Sequence, residues 1–460
     1  MDFPVFHTDF FGNRMLIAVI AILHVIINHS LAVGAAPLVT VLEWRAFRQR
    51  SEGGDQLAYK ILRVCFVITT SVGALTGVGI WFSAALINPA AIGSLIRVFF
   101  MAWLLEWVIF VIEVGLILAY FLSWNTWGRN YKRLHIALGG LLSLFSWLTM
   151  AIIVAVLGFM MHSGQWAAEQ RFLSAVLNPI YLPQLAFRTP LAMAAAGLFT
   201  LFLIPFLTDR SDPLRAATIR FVSTWTLAWT PLCLLGGWWY WGAIPDWMKQ
   251  LHPVALTTME FGDWYRHATF FLGLSGIVIL AVALWGVCFP RRLPRWCLVV
   301  PFLLLVGLLG YYERVREFIR KPYVVHEYMY ANGIRVADYP LLQEQGILQH
   351  ATYVAHREVT EENRFACGAD VFRLSCTRCH TTRGINGVVQ KFAKLYGREP
   401  WDPEDVKLTL RTMHVSRPYM PPFPGNEAEL DALSHYVCRL QTLPMPLEGD
   451  QASGVQLPSG

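Results

Sequence analysis

The chain has 460 residues, of which 55% are hydrophobic and only 15% are charged, and its mean hydropathy is +0.44. This composition excludes an ordinary soluble globular protein and predicts an integral membrane protein. The net charge of +6 arises from Lys and Arg beside apolar segments rather than from a basic stripe on a soluble face, which excludes nucleic acid as a partner.

Eight apolar segments run through the first two thirds of the chain. Seven of them exceed the ~18 residues that a membrane-spanning helix needs, and the eighth is one of the two shortest. We predict a mainly α fold, a polytopic bundle of about eight transmembrane helices. The segments lie at residues 14–42, 59–87, 95–124, 132–161, 189–207, 217–242, 268–289 and 294–312.

Lys and Arg are concentrated in the odd-numbered connections between these segments. The even-numbered connections hold only Arg171, Arg188, Lys249 and Arg266. Because positively charged loops remain in the cytoplasm, we expect the odd connections inside and both termini on the periplasmic side. The chain is therefore predicted to be a multi-pass protein of the bacterial inner membrane with its C-terminal domain in the periplasm.

Two histidines lie inside the first apolar segment, where an ionisable side chain is costly and indicates function. His24 lies roughly 15 Å below the outer surface, a depth that suits a b-type haem. His29 follows five residues later, on another helix face, so at most one of the two ligates a given haem. The alternatives are a structural hydrogen bond for His24, or a haem b at His162 or His267 near the outer surface.

Glu106 and Glu113 lie inside the third apolar segment. A separation of seven residues places them two turns apart on the same helix face. Buried carboxyl groups of this kind serve in proton transfer, and we predict that role for both. The alternatives are haem ligation and a structural pairing with the histidines of the first segment.

A C-x-x-C-H motif, the signature of covalent c-type haem attachment, follows the apolar region. Cys376 and Cys379 are predicted to bond the two vinyl groups of one haem, and His380 to ligate its iron. A zinc site is the alternative for such a motif, but no second Cys/His pair at zinc-finger spacing accompanies it. The motif therefore predicts electron transfer.

The sixth iron ligand is predicted to be Met420, which lies in a proline-stiffened loop downstream of the motif. The alternatives are that Met413 or His414 ligates the iron instead, or that Met420 serves only in packing. With this loop, residues 365–445 resemble a small all-α class I cytochrome c domain.

Two further cysteines, Cys367 and Cys438, flank this cytochrome segment, either as a disulfide or as two free thiols. The predicted division of the chain is a transmembrane haem domain at 1–312, a periplasmic connecting segment at 313–364, the cytochrome c domain at 365–445 and a flexible tail at 446–460.

Several short patterns occur together in the membrane region. They are Gly34 and Glu43 after the first membrane histidines, Gly73-Ala74-Leu75-Thr76-Gly77, Glu113 with Trp124 and Gly128, and Leu177-Asn178-Pro179. On these residues the region resembles subunit I of the cytochrome bd quinol oxidases. The resemblance implies that His24 ligates a haem, that Glu113 is a buried proton-path glutamate, and that a second membrane subunit is present. Glu106 sits one residue out of register with the other glutamate of the family.

The chain departs from this family in the fifth segment. Where the family has a haem-ligating histidine, the sequence reads Ala186-Phe187-Arg188-Thr189, and residues 243–267 replace a long quinol-binding loop. A full three-haem, oxygen-reducing core is therefore not predicted. Arg188 and Arg266 are expected to pair with haem propionates.

These observations predict a respiratory cytochrome subunit that transfers electrons between a membrane carrier, the quinol pool or haem b, and a periplasmic partner through its haem c. One covalent haem c and one or more haem b are the expected cofactors, and a quinone is a candidate ligand. The expected partners are other membrane and periplasmic subunits and a periplasmic electron carrier. The alternatives are a bd-like terminal oxidase, or a haem-free membrane anchor of a larger respiratory complex with haem c as its only cofactor.

Overall fold

The computed structural model describes residues 5–127, 131–258 and 265–443. The chain forms two compact units, and the predicted connection 313–364 is shared between them. The membrane unit comprises Ile17–Ala85 and Pro89–Tyr330, and the cytochrome unit comprises Met1–Leu16, Leu86–Asn88 and Ala331–Gly460.

The membrane unit is built almost entirely of α-helices. In the first two apolar segments the helix widens into π-helical turns, at Asn28–Val33 and Thr69–Gly73, a feature that is frequent at functional sites. A short antiparallel hairpin, β1 (Tyr323–Val325) and β2 (Met329–Tyr330), ends the unit. The α-helices are α1 (Asn13–Ile27), α2 (Ala35–Gln49), α3 (Glu52–Ile68), α4 (Ala74–Ile87), α5 (Pro89–Val98), α6 (Phe100–Ser123), α7 (Lys132–Met161), α8 (Trp166–Glu169), α9 (Phe172–Val176), α10 (Tyr181–Leu207), α11 (Pro213–Ala243), α12 (Asp246–Thr258), α13 (Tyr265–Cys288) and α14 (Arg295–Ile319).

Within the described residues, seven helical stretches are long and apolar enough to cross a membrane, which confirms a multi-pass, mainly α membrane fold. They match seven of the eight predicted segments, and the segment predicted at 294–312 extends to Ile319. The segment predicted at 217–242 forms α11, whose 31 residues are long enough but whose many Trp, Thr and Gly residues make it less apolar than the other seven. The seven stretches are Asn13–Gln49, Glu52–Ile87, Phe100–Ser123, Lys132–Met161, Tyr181–Leu207, Phe270–Cys288 and Arg295–Ile319.

Helix α10 forms the centre of the membrane unit, because 78% of its apolar window is buried against 11% for α6. Small residues let other helices approach it closely. A Cβ added to Gly34 would lie 2.0 Å from the carbonyl oxygen of Ala192, and one added to Gly236 would lie 2.3 Å from that of Ala186. Helix–helix contacts in membranes commonly use glycine in this way.

A charged network joins α2, α3, α6 and α7 at one end of the first four spans. Glu43 accepts hydrogen bonds from the Tyr120 hydroxyl and from His135 Nδ1, both at 2.6 Å, and pairs with Lys132 Nζ at 2.8 Å. Lys132 also pairs with Asp55 at 2.7 Å. His135 Nε2 lies 2.9 Å from the Tyr120 carbonyl oxygen, so both ring nitrogens face acceptors. These hydrogen bonds and ion pairs hold the four helices together.

The cytochrome unit is a small set of helices around α16 and α19. Gly368 brings these two together, because a Cβ there would lie 2.2 Å from the Ala432 carbonyl oxygen. Glu429 in the first turn of α19 accepts the backbone N–H groups of Ile347 and Leu348, each at 2.8 Å, so part of the predicted connection folds onto this unit. The helices are α15 (Tyr339–Gln345), α16 (Arg364–Ser375), α17 (Val388–Tyr396), α18 (Pro403–Ser416) and α19 (Glu427–Leu440).

Candidate functional site

The C-x-x-C-H motif lies where α16 ends. Beyond Ser375 the backbone makes a turn in which the N–H groups of Cys379 and His380 both donate to the Cys376 carbonyl, at 3.0 and 2.9 Å. Cys376 and Cys379 are half-buried free thiols. One turn thus presents two thiols and an imidazole together, as covalent attachment and ligation of one haem require.

The ring of His380 is oriented by Asn386. His380 Nδ1 lies 3.1 Å from the Asn386 carbonyl oxygen, and because a carbonyl only accepts, Nδ1 carries the proton. In the neutral imidazole Nε2 is then the nitrogen with a lone pair for a metal. Asn386 Nδ2 also donates to the Cys379 carbonyl at 2.6 Å, which closes the loop onto the motif.

The loop around Met420 is held by its backbone. Met420 N–H donates to the Arg417 carbonyl at 2.8 Å, and the Met420 carbonyl accepts the His414 Nδ1 proton at 2.5 Å. This contact anchors the loop and fixes the tautomer of His414, but it does not separate His414 from Met420 as the iron ligand. The ligand role of Met420 stays a prediction.

Arg378, inside the motif, adds positive charge to the attachment site. Its Nε donates to the Ile87 carbonyl and its Nη1 to the Leu374 carbonyl, both at 3.2 Å. Burial lowers the pKa of Arg378 to about 10, so the guanidinium remains protonated at neutral pH. A cation at this position favours the reduced form of an attached haem.

Cys367 and Cys438 are two free thiols rather than a disulfide in this structure. The Cys367 thiol lies 3.3 Å from Asn363 Oδ1. Of the two alternatives left by the sequence, the structure adopts the second.

In the membrane unit, His24 faces the first turn of α4. Its Nδ1 lies 3.2 Å from the Thr76 hydroxyl, which itself donates to the Val72 carbonyl at 2.8 Å. The Thr76 oxygen therefore accepts from His24, and Nδ1 carries the proton. Gly77 leaves room beside the ring, because a Cβ there would lie 3.2 Å from His24 Cε1. His24 Nε2 is left with its lone pair, as an iron ligand requires.

His29 is arranged differently, since both of its ring nitrogens are engaged. Nδ1 donates to the Val25 carbonyl at 3.1 Å, and Nε2 accepts from Arg188 Nη1 at 3.3 Å. These contacts favour His24 over His29 as a haem ligand. The second contact places the Arg188 guanidinium beside His29.

Arg188 belongs to a buried ion cluster with two residues of α14. Its Nη2 donates to Glu313 Oε1 at 2.6 Å, and Arg316 Nε donates to Glu313 Oε2 at 2.8 Å. Two guanidinium groups and one carboxylate leave one net positive charge. Among the described residues, Arg188 Nε, Arg316 Nη1 and both amide atoms of Gln184 are buried without a hydrogen-bond partner. Sequence reasoning missed Glu313 and Arg316, although their helical spacing after an apolar segment was a signal.

Glu113 lies between α6 and α7 and is held by two hydroxyl groups. Ser146 donates to its Oε1 at 2.6 Å and Thr149 to its Oε2 at 2.9 Å. Glu106, two turns away, is half-buried and has no hydrogen-bond partner within the described parts of the chain. Neither carboxyl group is hydrogen-bonded to His24 or His29 there, which disfavours the structural-pairing alternative.

A second histidine pair, which the sequence did not predict, lies beyond the end of α7. The rings of His162 and His326 are 5.1 Å apart, and His326 stacks on Trp247 at 5.7 Å. His162 Nδ1 accepts the Gly164 N–H at 3.0 Å. Burial lowers the pKa of both histidines, so both are neutral at pH 7. His267 is exposed, and the Arg266 side chain lies outside the described residues.

An apolar groove of about 420 Å³ lies between α10 and α11 and is lined by Trp229, Leu235 and Trp239 among others. Its polar groups come from α10. Because Pro190 has no N–H, the Ala186 carbonyl lacks its helical partner. The Thr189 hydroxyl accepts the Trp147 indole N–H at 3.0 Å. The groove thus combines aromatic walls with the Thr189 hydroxyl.

These residues fit haem groups in both units. The motif turn supplies two thiols and an oriented imidazole for haem c. In the membrane unit His24 offers an unprotonated Nε2, and the unpartnered N–H groups beside Glu313 fit an anionic carboxylate such as a haem propionate.

The comparisons with known proteins agree with the division of the chain into a membrane unit and a cytochrome unit. Residues 363–437 match the family model described as cytochrome C oxidase, cbb3-type, subunit III. The solved structure of the bd oxidase from Geobacillus thermodenitrificans is similar with a TM-score of 0.57 and 14% identity, over 69% of this chain and 90% of that one. At this identity the similarity shows the fold alone. No curated protein matches the chain.

Both resemblances expected from the sequence are thereby confirmed. The match over 363–437 coincides with most of the predicted cytochrome segment, 365–445, and implies a covalent haem c. The chain is an electron-transfer cytochrome in which a multi-pass membrane domain with the bd oxidase fold is fused to a C-terminal cytochrome c domain.

Proposed function

We propose that the chain transfers electrons between a carrier in the membrane and a partner on the periplasmic side through a haem c bound at Cys376 and Cys379. The observation that carries this proposal is the oriented imidazole of His380, held by the Asn386 carbonyl at the attachment turn. A c-type haem held in this way transfers one electron at a time and needs no substrate site of its own.

The membrane side of the reaction uses His24 as the ligand of a haem b. Thr76 fixes the ring tautomer, so that Nε2 is directed to bind a metal. The cluster of Arg188, Arg316 and Glu313 supplies unpaired N–H groups for a propionate. When bound, this haem supplies a one-electron centre within the bilayer.

A quinol is the membrane carrier that the groove between α10 and α11 supports. A quinol is a flat, largely apolar ring with two hydroxyl groups, which match the Trp walls and the Thr189 hydroxyl. Its oxidation releases protons, and Glu113 and Glu106 are carboxyl groups inside the membrane that take part in their transfer.

The location of both termini on one side of the membrane is supported by contacts within the cytochrome unit. Asp9, before the first span, contacts Thr382, and Ile87, after the second span, accepts from Arg378. The chain start, the end of span two and the haem c domain then share one face. Two termini on the same side require an even number of membrane crossings. Seven apolar stretches are described, so we take α11 as the eighth crossing. The excess of Lys and Arg in the odd connections makes the shared face periplasmic.

Other subunits complete the pathway. The haem c domain needs a periplasmic electron carrier or enzyme to exchange electrons with, and the membrane unit needs a second membrane subunit. We propose that both assemble with this chain in the bacterial inner membrane.

The experiment that tests the proposal is a reduced-minus-oxidised spectrum of the purified chain, with its haems extracted and typed and carbon monoxide added to the reduced protein. We expect haem c together with haem b, and no reaction with the gas. A gas-reactive haem would replace the proposal by a terminal oxidase. Haem c alone would leave the membrane unit as an anchor.

A further inference from the structure

The loop that follows the haem ligand is held by residues from the opposite end of the chain. The Thr382 N–H donates to Asp9 Oδ1 at 2.6 Å, and the Thr382 hydroxyl donates to Asp9 Oδ2. The Ile385 N–H donates to the Phe10 carbonyl at 3.0 Å. Three hydrogen bonds therefore join residues 9–10 to the loop 381–386. We call this contact the clasp.

The two segments approach too closely for a side chain between them. A Cβ added to Gly384 would lie 2.2 Å from the carbonyl oxygens of both Asp9 and Phe10. Gly384 does not have a positive φ, so its own backbone conformation accepts alanine. The requirement for glycine at this position comes from the contact with residues 9–10.

The same loop carries the group that orients the haem ligand. Asn386, one residue after the clasped Ile385, provides the carbonyl that accepts the His380 Nδ1 proton. Inside the loop, the Thr381 hydroxyl donates to the Ile385 carbonyl at 3.0 Å. A displacement of the Asp9 contact is thus transmitted to the Asn386 carbonyl through only a few residues.

We propose that Asp9 is a positioning residue for haem c, which holds the loop 381–386 so that the Asn386 carbonyl keeps the His380 imidazole in its ligating orientation. The inference rests on the proposed function, because it assumes that His380 ligates a haem. A hydrogen bond from Nδ1–H makes a ligating imidazole a stronger donor and stabilises oxidised iron. Loss of the clasp therefore raises the reduction potential of haem c.

His7 assists the clasp from the same segment. Its Nε2 lies 3.1 Å from Asp9 Oδ1. Hydrogen bonds from His7 and Thr382 outweigh burial and keep the pKa of Asp9 below its ordinary value, so the carboxylate is ionised and accepts both Thr382 protons.

The test uses the full chain in detergent, with redox titration of haem c and low-temperature EPR of its oxidised form. Asp9→Ala and Gly384→Ala break the clasp from its two sides. We expect each to raise the midpoint potential and to spread the EPR signal, because the imidazole plane is no longer fixed. The double variant should show no further shift, since both act on one contact. Asp9→Asn keeps an acceptor for the Thr382 N–H and should restore a single EPR signal.

Asp402→Ala is the matched control. Asp402 caps α18 by accepting the Glu404 N–H at 2.9 Å, and it is not part of the contact between residues 9–10 and the loop 381–386. It should leave the potential and the EPR signal unchanged. Unchanged spectra in Asp9→Ala, or an equal change in Asp402→Ala, would overturn the inference while the proposed function stands. Absence of covalent haem from the unmodified chain would instead overturn the proposed function, and this inference with it.

Discussion

Arg188 and Glu313 form an ion pair with a 2.6 Å separation in the core of the membrane unit, and Arg188 is only 1% exposed. Arg188 lies in the fifth span, α10, at the segment where a haem-ligating histidine is expected for a bd-type core, and Glu313 lies in α14. Removing one partner of a buried pair leaves an uncompensated charge, at a cost of roughly 3–5 kcal/mol.

We therefore expect Glu313→Gln to lower the free energy of unfolding by about this amount, since it leaves two buried guanidinium groups without an anion. Arg188→Met should cost less, because Glu313 keeps Arg316. Thermal unfolding in mild detergent measures both. Arg335→Met is the control, because its pair with Asp338 is half-exposed and should be worth less than about 1 kcal/mol. Equal losses of unfolding free energy in all three variants would contradict the interpretation of Arg188 and Glu313 as a buried ion pair that stabilises the membrane unit.

The second prediction concerns the sixth ligand of haem c. A Met thioether raises the potential of a haem, so Met420→Ala should lower the midpoint potential and allow carbon monoxide to bind the reduced haem. Met413→Ala, one turn from the C-terminal end of α18, should change neither property. His414→Ala should have an intermediate effect, because it removes the hydrogen bond to the Met420 carbonyl but leaves the Met420 thioether in place. A Met413→Ala variant that binds carbon monoxide would transfer the ligand role to Met413.

The sequence predicted the helices of the membrane unit well, because each span is set by a local run of apolar residues. It also predicted the haem c turn, since Cys376, Cys379 and His380 are adjacent in the chain. The partners of these groups were less accessible. Asn386 acts through its backbone carbonyl, which leaves no mark on the residue pattern. The contact of Asp9 with Thr382 joins residues 373 positions apart, and a single sequence carries no signal for it.

The third prediction concerns Glu113, which accepts the Ser146 and Thr149 hydroxyl groups. Glu113→Gln keeps the size of the side chain and removes its capacity to take up a proton. We expect electron transfer from quinol to haem c to slow by about 10²-fold, while the spectrum and amount of haem c stay unchanged. Ser146→Ala removes one hydrogen bond and should have a smaller effect. Unchanged turnover in Glu113→Gln would assign the residue a structural role only.

The fourth prediction tests the groove between α10 and α11 as the quinol site. Leu235→Trp places a large ring in the groove and should raise the KM for a soluble quinol analogue at least several-fold. Leu234→Trp is the matched control, because Leu234 is also exposed on α11 but does not line the groove. Haem c should be reduced normally by dithionite in both variants. A similar KM in the two variants would place the quinol elsewhere and leave the haem assignments intact.

The last prediction concerns the adjacent pair His162 and His326. Burial lowers the pKa of both below the ordinary value of 6.5, so the folded protein favours their neutral forms. In the unfolded chain they take up protons at that ordinary value. Their contribution to stability is therefore complete above pH 6.5 and is lost as the pH falls below it, until the folded pKa is reached. We expect the midpoint temperature of the unmodified chain to fall between pH 7 and pH 5.5 more steeply than that of His326→Phe. The phenyl ring retains the stack on Trp247 but does not titrate. Parallel curves for the two proteins would show that the pair does not contribute to the acid sensitivity.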